Sequence, residues 1–185
     1  MMPHAGRARQ ALRQATMKCH RQVDDLFSLF SLDDRSSYAA FLKAHARALA
    51  PLEAIARPDA PRLPMLRQDL AALGESMPDP LETPVGEGDA FRWGARYTLE
   101  GSRLGGAMLA RQVGRDLPRA YLSAVHEKGG WIAFQQSLDA ACDRGAEQGA
   151  DQDGGQWIDE AIRGAEAAFG LFASAARSEA AAGHG

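Results

Sequence analysis

Apolar residues recur at helical spacing along almost the whole chain, with no strand-like alternation and no internal repeat. The pattern predicts an all-α protein. A first helix is expected from Arg7 to Leu29, with Leu12, Ala15, Cys19, Val23, Leu26 and Phe30 as its apolar stripe. Ser36 or Ser37 is expected to cap a second helix, which carries Tyr38, Phe41, Leu42, His45, Leu49 and Leu52 on one face. Pro51 falls inside that pattern and should kink or end it. After the connector 57–64, a third helix is expected over Met65–Leu73 with Gly74 as its C-cap. Residues 76–88 read as a loop. A fourth helix follows over Asp89–Val113 with Asp89 as cap, then a short one from Asp116 to Glu127, a sixth over Trp131–Arg144, and a last over Trp157–Ala176.

Length and composition keep this a soluble multi-helix bundle. The 185 residues suit one domain over the whole chain, 45% of them hydrophobic and 24% charged. Residues 1–6 and 178–185 are expected to be disordered, and the glycine-rich stretch 145–156 to be a flexible loop within the domain. A net charge of −3 argues against nucleic acid as partner. No stretch reaches the ~20 apolar residues of a membrane helix, and the N-terminus has no signal-peptide core. Cys19 and Cys142 lie far apart and read as free thiols, so a cytoplasmic protein without membrane attachment is expected.

Two helices carry candidate chemistry. The fourth contains Gly94, Gly101, Gly105 and Gly106, although each interior helical glycine costs roughly 1 kcal/mol relative to alanine. At about 100° per residue, Gly94, Thr98, Gly101 and Gly105 share a narrow arc, giving a nearly bare strip of backbone. Close helix packing would explain it; so would a flat ligand lying on the backbone. In the first helix, Arg7, Arg9, Arg13, Lys18 and Arg21 precede any acidic residue. His20 sits at the edge of the apolar stripe, and Arg13, His20 and Phe27 stack along one line at heptad spacing. That arrangement suits haem, with the imidazole on iron and cations on the propionates; a half-buried histidine beside a solvated basic face is the alternative. His45 reads as a packed, hydrogen-bonded core histidine. His126 reads as exposed beside Gly129–Gly130, and His4 and His184 lie near the chain ends.

Residues 12–24, LeuArgGlnAlaThrMetLysCysHisArgGlnValAsp, and residues 97–106, TyrThrLeuGluGlySerArgLeuGlyGly, resemble the proximal and distal helices of the heme oxygenase family, closest to its bacterial branch and the bacteriophytochrome-associated type. Tyr38, Phe41, Leu42, Pro51, Leu52 and Glu53, and the run 66–74, are similar to that branch as well. The resemblance implies a heme oxygenase-like fold and an enzyme that cleaves haem oxidatively to biliverdin, releasing iron and carbon monoxide. Haem is then both cofactor and substrate, and molecular oxygen is the co-substrate. By this resemblance His20 is the proximal iron ligand, Arg13 a propionate contact, Gly101, Gly105 and Gly106 the distal backbone over the haem, and Phe27 a further haem contact. Ser102 stands where many members have an aspartate organising distal water, so Ser102, with Gly101 and Gly105, carries the implied catalytic role. Arg144 and Arg163 are candidate propionate partners, and Phe134 and Phe169 candidate pocket linings. Electrons must come from an external ferredoxin or reductase, for which Arg92, Arg96 and Arg103 offer a docking face, unless they are simply solvated. A non-catalytic haem-binding, delivery or sensing protein on the same fold is the alternative function.

Overall fold

The computed structural model describes residues 6–149 and 154–183, and among them no strand occurs. The helices are α1 (Arg7–Phe27), α2 (Arg35–Ala56), α3 (Leu63–Ala72), α4 (Asp89–Ala110), α5 (Ala120–Ser123), α6 (Gly130–Gln148) and α7 (Gly155–Ala182). The expected all-α architecture is therefore observed, with several corrected boundaries. Helix α7 continues through residues 178–182. Residues 145–148 extend α6, and 155–156 begin α7. The rest of the expected flexible loop and terminal tails, including His4 and His184, falls partly outside the described residues.

Helix α7 is the spine, with α1, α2 and α4 packed along it. The α4–α7 crossing explains part of the glycine content. A Cβ on Gly94 would overlap the Ala161 carbonyl, and one on Gly164 would overlap the Phe91 carbonyl. Thr98 seals the same crossing by donating to the Ala165 carbonyl at 3.1 Å. The close-packing explanation thus holds for Gly94.

Three local expectations fail for identifiable reasons. Asp34 caps α2, its carboxylate accepting from Ser37 N–H at 2.8 Å, while the Ser37 hydroxyl accepts from Ser31 N–H. Gly88, with φ 93°, takes the cap position of α4, and Asp89 instead pairs with Arg92 in the first turn. The stretch 116–127 forms only the single turn α5. Tertiary bonds hold it: Asp69 accepts from the N–H groups of Ala120 (3.1 Å) and Tyr121 (2.9 Å), and the Tyr38 hydroxyl donates to the Pro118 carbonyl (2.7 Å).

Pro51 neither ends nor interrupts α2. A proline at 51 cannot donate to the Arg47 carbonyl four residues earlier. That carbonyl accepts instead from Leu81 N–H at 3.0 Å, and the Arg47 guanidinium donates to the Asp79 carbonyl at 2.9 Å. The freed acceptor becomes the docking point of the 76–88 loop. Gly74 closes α3 as expected, at φ 75°, with Glu75 N–H on the Leu70 carbonyl and Gly74 N–H on the Ala71 carbonyl.

Candidate functional site

The first helix buries Ala8, Leu12 and Thr16 against α6 and α7; Ala15, expected in the stripe, is exposed. Tyr97 of α4 hydrogen-bonds Thr16 and lies near the Arg13 guanidinium. Burial raises the Tyr97 phenol, and Arg13 and Thr16 partly offset this. Both α1 and α4 pack along α7, and Trp93 and Tyr97 of α4 rest on the cluster that contains Ala8 and Leu12 of α1. His20 comes four residues after Thr16, and Gly101 four after Tyr97, so the two candidates occupy the next turn of each helix.

The His20 side chain is 65% exposed. Its ring lies 5.7 Å from that of Phe169 on α7, and Asp24, one turn on, approaches Nε2 at 3.5 Å. On α4 the glycines divide by role. A Cβ on Gly105 would meet nothing within 4 Å, and one on Gly101 would meet only the Trp131 ring, at 3.6 Å. Gly106 is different: its Cβ would come 2.6 Å from the Leu122 carbonyl, so it serves the packing of α4 on α5. Met17, Leu104 and Met108 are 53%, 52% and 70% exposed and lie on the arcs of His20 and Gly101. Exposed apolar side chains on α1 and α4, open backbone at Gly105 and an exposed imidazole have the chemistry that suits a flat apolar ligand carrying a metal at its centre.

Behind α4 lies a polar network. Arg62 is fully buried and donates through Nη2 to the Ser102 hydroxyl and the Leu99 carbonyl (3.2 Å), with its guanidinium 4.9 Å from the centre of the Tyr121 ring. The Tyr121 hydroxyl meets His45 Nδ1 at 2.7 Å. His45 is packed between Phe27 and Phe41, at ring distances of 4.6 and 4.5 Å, as expected of a core histidine. Burial, and secondarily Arg62, lower its pKa to about 3, so it stays neutral. The Ser102 hydroxyl donates its own proton to the Leu99 carbonyl at 2.6 Å. Ser102 is thus engaged on both sides by the protein.

Other expectations resolve differently. Phe27 joins the Phe41, His45 and Phe172 cluster at the C-terminal end of α1. Phe169 lies beside His20, whereas Phe134 stacks on Trp131. Arg144 lines a different cavity with Trp93 and Trp157, and Arg163 pairs with Glu160. The proposed arginine docking face does not exist as such. Arg103 is buried and bound to Glu100, because its place on the helix turns it toward the 57–64 connector; Arg92 and Arg96 pair with Asp89 and Asp59. His126 is likewise not exposed but bonded to Glu100. Sequence reasoning passed over Asp24, Arg62, Tyr97 and Trp131. The i,i+4 spacing of His20 and Asp24 was a readable signal; a buried arginine in a proline-flanked connector has none.

Among the described residues the fold is an all-helical bundle built on α7, with the candidate residues His20 on α1 and Gly101 and Gly105 on α4. No protein-family model matches the chain. A heme oxygenase of Xanthomonas campestris pv. campestris is 32% identical over 126 residues, covering 64% of this chain and 69% of that protein. The solved structure of heme oxygenase from Neisseria meningitidis, in NO- and CO-bound forms, superposes with a TM-score of 0.72 at 25% identity, covering 93% of this chain and 90% of that one. The chain belongs to the heme oxygenase family.

Proposed function

We propose that this chain is a heme oxygenase enzyme, acting as one domain, that opens haem to biliverdin with release of iron and carbon monoxide, using molecular oxygen and electrons from an external donor. The observations that carry the reading are the exposed His20 imidazole on α1 and the backbone of α4 at Gly105, open to space, and at Gly101, where a Cβ would meet only the Trp131 ring. Bound haem would supply both the iron centre and the macrocycle that is cut.

The chain's own residues bind and orient. His20 offers a nitrogen to the iron, and Asp24 beside it limits the rotation of the ring. Met17, Leu104 and Met108 give up exposed apolar surface to the ligand. Arg13, near Tyr97, would offer its cation to a propionate. Gly101 and Gly105 let backbone approach the ligand face and leave little room for anything but a small molecule between. Ser102 acts through Arg62, anchoring that buried cation behind the distal helix. The finer placing, in the bacterial branch and its bacteriophytochrome-associated type, is supported by the 97–106 segment. Two cysteines far apart in the chain suit a reducing, cytoplasmic compartment, and no helix among the described residues is long and apolar enough to cross a membrane.

The test is haem titration followed by ascorbate or a ferredoxin system. A histidine-type Soret band decaying into a biliverdin absorption, with both lost in His20→Ala, is expected. A stable Soret band with no bilin would overturn the oxygenase reading in favour of haem delivery or sensing.

A further inference from the structure

The segment between α5 and α6 wraps around α4. On one side of that helix, Glu100 and Arg103 are buried at 7% and 5% exposure. Glu100 Oε2 accepts from Arg103 Nε at 2.9 Å and contacts His126 Nε2 at 2.7 Å. Arg103 also donates to the carbonyls of Ala60 and Ala124. His126 packs under the turn that starts α6: its Cβ lies 3.0 Å from where a Cβ on Gly130 would stand, and Gly129 adopts φ 81°. The next residue is Trp131. Its ring lies 6.2 Å from that of His126, against Tyr97 (5.7 Å) and stacked on Phe134 (5.6 Å), and is the neighbour nearest the backbone at Gly101.

We infer that Glu100, Arg103 and His126 are positioning residues that hold Trp131 against Gly101, and that the Trp131 indole is the wall that sets how a porphyrin is seated in the plane of the cleft. This rests on the haem reading above. The argument is geometric. A flat ligand on a bare helix backbone is free to rotate in its plane unless side chains stop its edge. Among the described residues, Trp131 is the side chain in contact range of a Cβ at Gly101, and a rigid aromatic ring makes a better stop than a flexible chain. Its place depends on a short link containing two consecutive glycines, which has little stiffness of its own. Two bonds tie the link to α4 and supply the rigidity it lacks: His126 to Glu100, and Arg103 to the Ala124 carbonyl. The carboxylate of Glu100 can only accept, so His126 donates to it through Nε2–H, a role that the amide nitrogen of glutamine can take over.

The experiment follows the hyperfine-shifted haem-methyl proton resonances of the ferric cyanide complex, which report in-plane seating without turnover, together with the ratio of biliverdin isomers. Trp131→Leu and His126→Ala are expected to shift the methyl pattern in the same sense, or to add a second set of resonances. His126→Gln should restore the wild-type pattern, and the double variant Trp131→Leu/His126→Ala should shift no further than Trp131→Leu alone. An unchanged pattern in Trp131→Leu overturns the proposal, and since that change removes no hydrogen bond, it remains decisive even if His126→Ala does not fold. A pattern shifted in Trp131→Leu but unmoved in His126→Ala overturns the positioning role. Wild-type protein that takes up no haem would sink the proposed function as well, whereas an intact complex with unmoved resonances sinks this inference alone.

Discussion

At the scale of single residues, one amino-acid type does opposite work along one helix. Gly94 is forced by the Ala161 carbonyl, while Gly105 faces open space. Gly94→Ala should therefore destabilise the fold by ~1–3 kcal/mol through overpacking. Gly105→Ala should stabilise it by up to about 1 kcal/mol, the helix propensity difference. Thermal unfolding of the two variants checks the contrast. A bulkier Gly105→Leu should leave the fold intact and weaken haem uptake roughly tenfold or more, ~1.4 kcal/mol or above, read from Soret titrations. Ser102 poses a different case, since its hydroxyl is an acceptor for a buried guanidinium. Ser102→Ala should cost ~1–3 kcal/mol in chemical denaturation, because Arg62 then loses a partner it cannot replace with water.

At the scale of elements, two features of α2 were half readable. The capping signal was present in the Asp34–Ser37 stretch, but which residue caps depended on Ser37 being drawn to Ser31. Pro51 read as a breaker because, within the helix alone, it leaves the Arg47 carbonyl without a donor; the donor is supplied by Leu81, 34 positions after Arg47 in the chain. Pro51→Ala should restore the helical bond to Arg47 and release the loop. Amide hydrogen exchange at Leu81 should speed up while the flanking α2 amides slow down; unchanged exchange at Leu81 would remove the loop-docking role. The short α5 likewise owes its extent to Asp69 and Tyr38, on helices distant in sequence.

At the scale of the whole molecule, His45 links stability to pH. Its pKa falls from the ordinary 6.5 to about 3 on folding, because burial and Arg62 oppose the charged form. Between those values the unfolded chain binds a proton that the folded one does not, so stability is full above about pH 6.5 and declines as pH falls toward 3. One such group gives a slope of at most ~1.4 kcal/mol per pH unit. His45→Gln, which keeps a partner for the Tyr121 hydroxyl, should flatten the pH dependence of the melting temperature between pH 4 and 6.5 by roughly that slope. Haem should act in the opposite direction: at a free concentration of about 100 Kd it adds ~2.7 kcal/mol, which is roughly 5–10 °C for a domain of this size. His20→Ala should abolish that increment.

The sequence by itself determined the helical class and the order of the helices, and pointed to the two helices of the proposed site, because helical periodicity, glycine content and the His20 and Gly101 motifs are local properties of the chain. It also marked His45 as a core residue, since its neighbours at helical spacing are apolar. The tertiary structure alone decided which glycines are open and which are filled, since that depends on carbonyls of α5 and α7 approaching from elsewhere in the chain. It alone turned Arg103 and His126 inward to share Glu100, and brought Arg62 from a connector to the back of Ser102. A buried charge is tolerable only where partners from other segments meet it, and no local pattern records where those partners will be.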